Sequence, residues 1–212
     1  IAKYYHIPCV DLKFSSTELP DLAVVKETLE KDKDIAVVAT VHHETGTGVL
    51  NPVREIGQLA HDNDCVFIAD TISTYGLLPI NIEEENIDFC MSSAQKGLCG
   101  MTGVSWTVGK IDEIVKSKAY PRRSYYCNLF MQYDFFERVG EMHFTPPVQV
   151  IYALRQAIKE YWQEGEQARR ERAGVAWLAP EAMSHSSSVP FASQSVNPAQ
   201  ASRTRSMIPA AM

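Results

Sequence analysis

The chain has 212 residues, 45% of them hydrophobic and 22% charged, with a formal net charge of −6. That length supports one sizeable core, alone or with an appendage, and the acidic balance without a dense Lys/Arg cluster argues against a nucleic-acid partner. No apolar run approaches the roughly 20 residues of a membrane span, and the opening IAKYYHIPCVDLKF has no initiator Met, basic n-region or apolar h-region. The five cysteines, Cys9, Cys65, Cys90, Cys99 and Cys127, are scattered and never spaced as CxxC. A reducing, cytoplasmic setting and no metal site are therefore expected.

In chain order, DIAVVATVHH (34–43) predicts a buried strand after the charged EKDKD. NPVREIGQLAHDND (51–64) predicts a helix, with Pro52 near its start and Val53, Ile56, Leu59 and Ala60 at helical spacing. CVFIAD (65–70), IDFCMSS (87–93) and GVSWTVG (103–109) predict three more strands, and EEE at 83–85 a solvated helix start. KIDEIVKSKA (110–119) predicts a short helix. PPVQVIYALRQAIKEYWQEG (146–165) predicts a longer one, begun by proline, stopped by Gly165 and striped by Val148, Ile151, Leu154 and Ile158. From Gln167 onward the chain holds ten Ala, eight Ser, five Arg and four Pro but no Asp or Lys. Residues 167–212 are accordingly expected to form a disordered or non-native tail beside a domain over 1–166.

Alternating strands and helices, with continuous rather than alternating apolar strands, predict an α/β fold built on a mainly parallel sheet with helices on both faces. Ligands bind such sheets outside the carboxyl ends of the strands. This directs attention to His42–Thr47, Asp70–Ser73 and Ser92–Lys96. Asp70 alone reads as a turn residue and Lys96 alone as a solvated loop lysine. Together at adjacent strand ends they suggest a carboxylate that keeps a pyridine nitrogen protonated and an amine that condenses with an aldehyde and then shuttles a proton. Desolvation and nearby positive charge are expected to lower that amine's pKa. His42 and His43 read as packing or loop histidines. Arg122 and Arg123 read as surface residues, although a guanidinium fork suits a phosphonate.

HHETGTGVLNPVREIGQLAHDNDCVFIADTISTYGLLPI, IDFCMSSAQKGLCGMTGVSW and MHFTPPVQVIYALRQAIKE resemble the class V aminotransferases, fold-type I enzymes dependent on pyridoxal 5'-phosphate. Within them they resemble the transaminases that act on 2-aminoethylphosphonate and pyruvate. The resemblance implies that Lys96 holds the cofactor covalently and transfers the proton, and that Asp70 pairs with the ring nitrogen. It also implies that Thr45 lies beside the phenolic oxygen, that Gln95 contacts the phosphate, and that Thr145 contacts it across the interface of a homodimer. Ser73 is implied as a further lining residue. Gly46 stands where the family usually has Thr. The family's glycine-rich phosphate turn, its ring-stacking aromatic and its small-domain arginine for the substrate carboxylate have no recognisable counterpart. The N-terminal part of the large domain and the C-terminal small domain are thus expected to be missing. The implied reaction moves an amino group from 2-aminoethylphosphonate to pyruvate, giving phosphonoacetaldehyde and alanine. The alternatives are an alanine–glyoxylate or serine–pyruvate transaminase, or a truncated non-catalytic isoform.

Overall fold

The structure is a computed structural model and describes residues 1–173. Its centre is a sheet in the order β1 (Val37–Val41), β2 (Val66–Asp70), β3 (Phe89–Ser93), β4 (Ser105–Gly109). The first three strands run parallel, pairing Ala39 with Ile68 and Ala69 with Cys90, and β4 returns antiparallel to β3. All four apolar runs read from the sequence form strands, but β1, expected to be buried, is not: none of its residues is buried and Val37 is exposed. The reversal before β4 follows from its short connection: residues 94–104 contain no crossover helix, and Ala94 N bonds back to the Val104 carbonyl at 3.0 Å.

Side chains alternate across a strand, so Phe67, Ala69 and Cys90 share one face while Ile68, Asp70 and Met91 share the other. The first face is closed by α2 (Val53–His61), whose Val53, Ile56 and Ala60 meet Phe67 in the core. Behind α2 lies α1 (Leu22–Lys31), begun by the Asp21 carboxylate accepting from Ala23 N at 2.8 Å and seated by Val25 and Leu29. Burial of side chains such as Phe67, Ile56 and Leu29 contributes about 1.5–3 kcal/mol each. The approach of α2 is close enough to require glycine at position 57. A Cβ there would lie 2.6 Å from the Glu85 carbonyl oxygen and 3.0 Å from the Phe67 ring.

At the amino ends of β2 and β3, the buried Asp88 carboxylate ties the sheet together. It accepts from Phe67 N at 2.6 Å, His61 Nε2 at 3.0 Å and Lys110 Nζ at 2.5 Å. Burial alone pushes this carboxyl up, but Lys110, Phe67 N and His61 together outweigh it and hold the pKa below the ordinary aspartate value. The expected helix at Glu83–Glu85 is instead a turn, because the Asn81 side chain accepts from the Glu83 and Glu84 amides. Glu85 is half-buried there, and burial raises its pKa.

Beyond the sheet come α3 (Ile111–Lys116) with a 3₁₀ turn over Ser117–Ala119, α4 (Leu129–Val139) and α5 (Val148–Glu164). Asn128 caps α4 by accepting from Met131 N at 2.9 Å, and Gly140 ends it in the left-handed region at φ 76°. Gly165 stops α5 at φ 86°, and α6 (Glu166–Arg172) follows directly. Residues 167–172, read from composition as the start of the tail, are therefore helical. The remainder of that tail, from residue 174, lies outside the described residues. No helix among the described residues is long and apolar enough to cross a membrane.

Candidate active site

The carboxyl ends of β1, β2 and β3 lie side by side, so the loops that leave them share one edge of the sheet. Asp70 closes β2 with one carboxylate oxygen, Oδ1, accepting from Ile72 N at 2.9 Å. This is the turn contact expected of a strand-ending aspartate. The second oxygen has no partner among the described residues, so the carboxylate is oriented without being saturated.

The segment after Asp70 is strapped to the end of β1. His42 N donates to the Asp70 carbonyl at 2.8 Å, His42 Nδ1 meets Thr74 Oγ1 at 3.0 Å, and Ser73 Oγ donates to the His43 carbonyl at 2.7 Å. Thr74 Oγ1 also donates to the Thr71 carbonyl, which leaves its lone pair for His42 Nδ1–H. Burial, with the charge of His43 adding to it, lowers the His42 pKa to about 4, so this imidazole is neutral at ordinary pH. His42 is thus the packing histidine expected from the sequence, and it holds the Asp70 loop in place. Thr45 is exposed at the tip of a tight loop closed by Glu44 N to the Val49 carbonyl and Gly48 N to the Glu44 carbonyl.

After β3 the chain turns sharply. Cys99 N bonds the Lys96 carbonyl at 2.8 Å and Gly100 N bonds the Ala94 carbonyl at 2.7 Å, leaving Gln95 and Lys96 exposed at the apex. Lys96 has no ion-pair or hydrogen-bond partner among the described residues. Gly97 is pressed against the Asp70 loop: a Cβ there would overlap the Tyr75 carbonyl oxygen and lie 2.9 Å from Leu77 Cγ. Opposite, Gly76 takes φ 79°, and a Cβ there would come 2.9 Å from Leu98 Cδ2. These two glycines allow the Asp70 and Lys96 loops to pack backbone against backbone.

Two hydroxyls of the flagged 92–96 stretch, given no role of their own by the sequence, lie beside this turn. Ser92 and Ser93 are 1% and 7% exposed, and neither Oγ has a partner among the described residues. A buried hydroxyl left unpaired costs about 1–3 kcal/mol. By strand alternation Ser93 shares the face of Asp70, three residues before Lys96. Its only signal in the sequence is a small polar residue at the end of an apolar strand. Thr145 is also exposed, on the segment between α4 and α5, and does not cap α5, which starts after Pro147 without a side-chain cap. Tyr125, Tyr126, Met142 and Val148 are exposed around it in the sequence.

A lysine and a half-free carboxylate on adjacent strand-end loops of a parallel sheet can hold an aldehyde-bearing heterocycle. Residues 2–209 match the family model described as aminotransferase class-V. The chain belongs to the class V aminotransferase family. It is 36% identical over 171 residues to the bifunctional phosphonoacetaldehyde hydrolase/aminoethylphosphonate transaminase of Clostridioides difficile, a match covering 80% of this chain and 27% of that protein. It is 34% identical over 165 residues to the 2-aminoethylphosphonate–pyruvate transaminase of Lysinibacillus sphaericus, covering 78% of this chain and 45% of that one. The fold superimposes on the crystal structure of pyridoxamine–pyruvate aminotransferase from Mesorhizobium loti with a TM-score of 0.68 at 26% identity, covering 76% of this chain and 42% of that one. The chain therefore spans less than half the length of these class V relatives, within their α/β fold.

Proposed function

We propose that this chain is the lysine-bearing part of a pyridoxal-phosphate-dependent transaminase that takes the amino group of 2-aminoethylphosphonate to pyruvate, releasing phosphonoacetaldehyde and alanine. The observation that carries the reading is the pairing of Asp70 and Lys96 on abutting loops in a chain whose matched relatives bear that activity in their names. The unpaired Ser93 hydroxyl beside the lysine turn supports a phosphate-bearing cofactor, since phosphate oxygens accept from hydroxyl donors. When bound, pyridoxal phosphate supplies an aldehyde that condenses with amines and a ring that stores electrons.

The residues of this chain would do the rest. Asp70, oriented by Ile72 N, holds a proton on the ring nitrogen through its free oxygen. Lys96 Nζ would hold the cofactor through its aldehyde and, as a free amine, would take the proton from the donor's amino-bearing carbon. Gln95 and Ser93 serve the phosphate, while Thr45 and Ser73 line the site. Thr145 would reach the phosphate of a second copy, so the working unit would be a homodimer in the cytoplasm. The test is turnover, with alanine formation from pyruvate measured separately for 2-aminoethylphosphonate and for serine, and alanine tested as donor to glyoxylate. Turnover with the phosphonate alone, abolished by Lys96→Ala, is expected. Serine or alanine turnover without the phosphonate would overturn the assignment.

A further inference from the structure

Arg169 projects from α6 into the interior, its side chain only 5% exposed, on a segment whose composition gives no hint of burial. A buried guanidinium is costly unless its donors are satisfied. Here Nε donates to Glu164 Oε2 at 2.7 Å, and the guanidinium carbon lies 5.2 Å from the centre of the Tyr161 ring. Glu164 is held in turn by Arg172, through Nε at 2.5 Å and Nη2 at 3.0 Å. The Arg172 hydrogen bond, with Arg169 adding, keeps Glu164 ionised down to about pH 2 against the opposing effect of burial. The remaining contact leaves this cluster: Arg169 Nη1 donates to the Gly97 carbonyl at 3.1 Å, 72 residues away in sequence.

That carbonyl belongs to the residue immediately after Lys96. Gly97 cannot carry a side chain against Tyr75, so no side chain of its own can anchor the turn at this point. We propose that Arg169 is a positioning residue for the lysine turn. Braced by Glu164 and Tyr161, its fork fixes the Gly97 carbonyl and so sets where the exposed apex presents the Lys96 amine. The chemical use of that amine rests on the function proposed above; the clamp itself does not.

Two readouts separate the claims. In the cofactor-free chain, amide hydrogen exchange is followed at Cys99 and Gly100, whose bonds close the turn, and at Ile68–Asp70 in β2 as reference. Losing a charge-assisted hydrogen bond predicts exchange faster by about tenfold at Cys99 and Gly100 in Arg169→Met, with β2 unchanged. Arg169→Lys, which keeps the charge but not the fork, should give an intermediate increase of about threefold. Turn amides within about twofold of wild type in either folded variant, or equal acceleration in β2, would overturn the proposal. The second readout is the yield of borohydride-fixed pyridoxal phosphate on Lys96 at subsaturating cofactor, expected to fall by about tenfold in Arg169→Met. An unchanged yield overturns the positioning role. If wild type itself forms no Lys96 adduct, the functional reading fails, and the exchange data alone decide whether the clamp exists.

Discussion

His42 makes the stability of the site loops depend on pH in a way that can be calculated. Its ordinary value is 6.5 and its value in the fold is about 4, a depression caused first by burial and second by His43. A histidine depressed in the fold binds its proton more readily when unfolded, so its penalty is absent above about pH 6.5 and grows as pH falls toward 4. At pH 5 the unfolded imidazole is almost wholly protonated and the folded one barely so, which costs about 2 kcal/mol relative to pH 7.5. At 6% exposure, solvent screening takes little from that figure. For a chain of this size, the corresponding fall in Tm is roughly 4–8 °C. Urea unfolding of wild type and His42→Gln at pH 7.5 and 5.0 isolates the effect, because every other titrating group is common to both. The wild type should lose about 2 kcal/mol more than the variant between the two pH values. NMR titration of the His42 ring should give a midpoint near 4. Equal losses in the two proteins, or a midpoint near 6.5, would refute the burial argument.

Gly97→Ala forces a methyl group into the Tyr75 carbonyl. It should cost about 1–3 kcal/mol in thermal unfolding and depress cofactor capture by Lys96 beyond what stability explains. Asp88→Asn removes a buried charge that serves three donors at the opposite end of the sheet. Lys110 is half-exposed, so solvent screens part of its pull, and a loss of about 2–4 kcal/mol is expected from denaturant unfolding at pH 7, leaving the Lys96 turn unaltered by hydrogen exchange. The Asp88 contribution is present above its unfolded value and disappears as pH drops through its lower folded value, so wild type and Asp88→Asn should converge in strong acid.

The sheet and α2 were legible because continuous apolar strands alternate with one strongly periodic helix, and Pro and Gly mark the ends of α5. α1 and α4 were not read. α1 offers a thin stripe and buries only Val25 and Leu29. α4 is rich in apolar residues on every side, with Leu129, Phe136 and Val139 left exposed, so no single face stands out, although Asn128 and Gly140 bracket it with a clear start and stop. The Glu83–Glu85 run resembled a helix start because acids favour first turns, but Asn81 captured those amides in a turn. Composition places Arg169 in the tail because an Ala/Arg-rich stretch resembles a solvated one. Its burial depends on a carbonyl 72 residues away, which local composition does not record. The placement of Asp70 and Lys96 on neighbouring strand-end loops was legible because the ends of parallel strands are few and their polar residues conspicuous. Ser93 falls in the flagged 92–96 stretch but gains no role there, because a hydroxyl reveals its purpose only when its partners can be counted. Thr145 takes its proposed role from a second copy, which a single chain's pattern does not contain.

Which amine meets the cofactor decides the proposed function most directly. Wild-type chain incubated with pyridoxal phosphate, reduced with borohydride and mapped by peptide mass should carry the modification predominantly at Lys96, with a visible-region band that Lys96→Ala abolishes. Modification spread evenly over exposed lysines such as Lys110 and Lys118, or a band that survives Lys96→Ala, would contradict it.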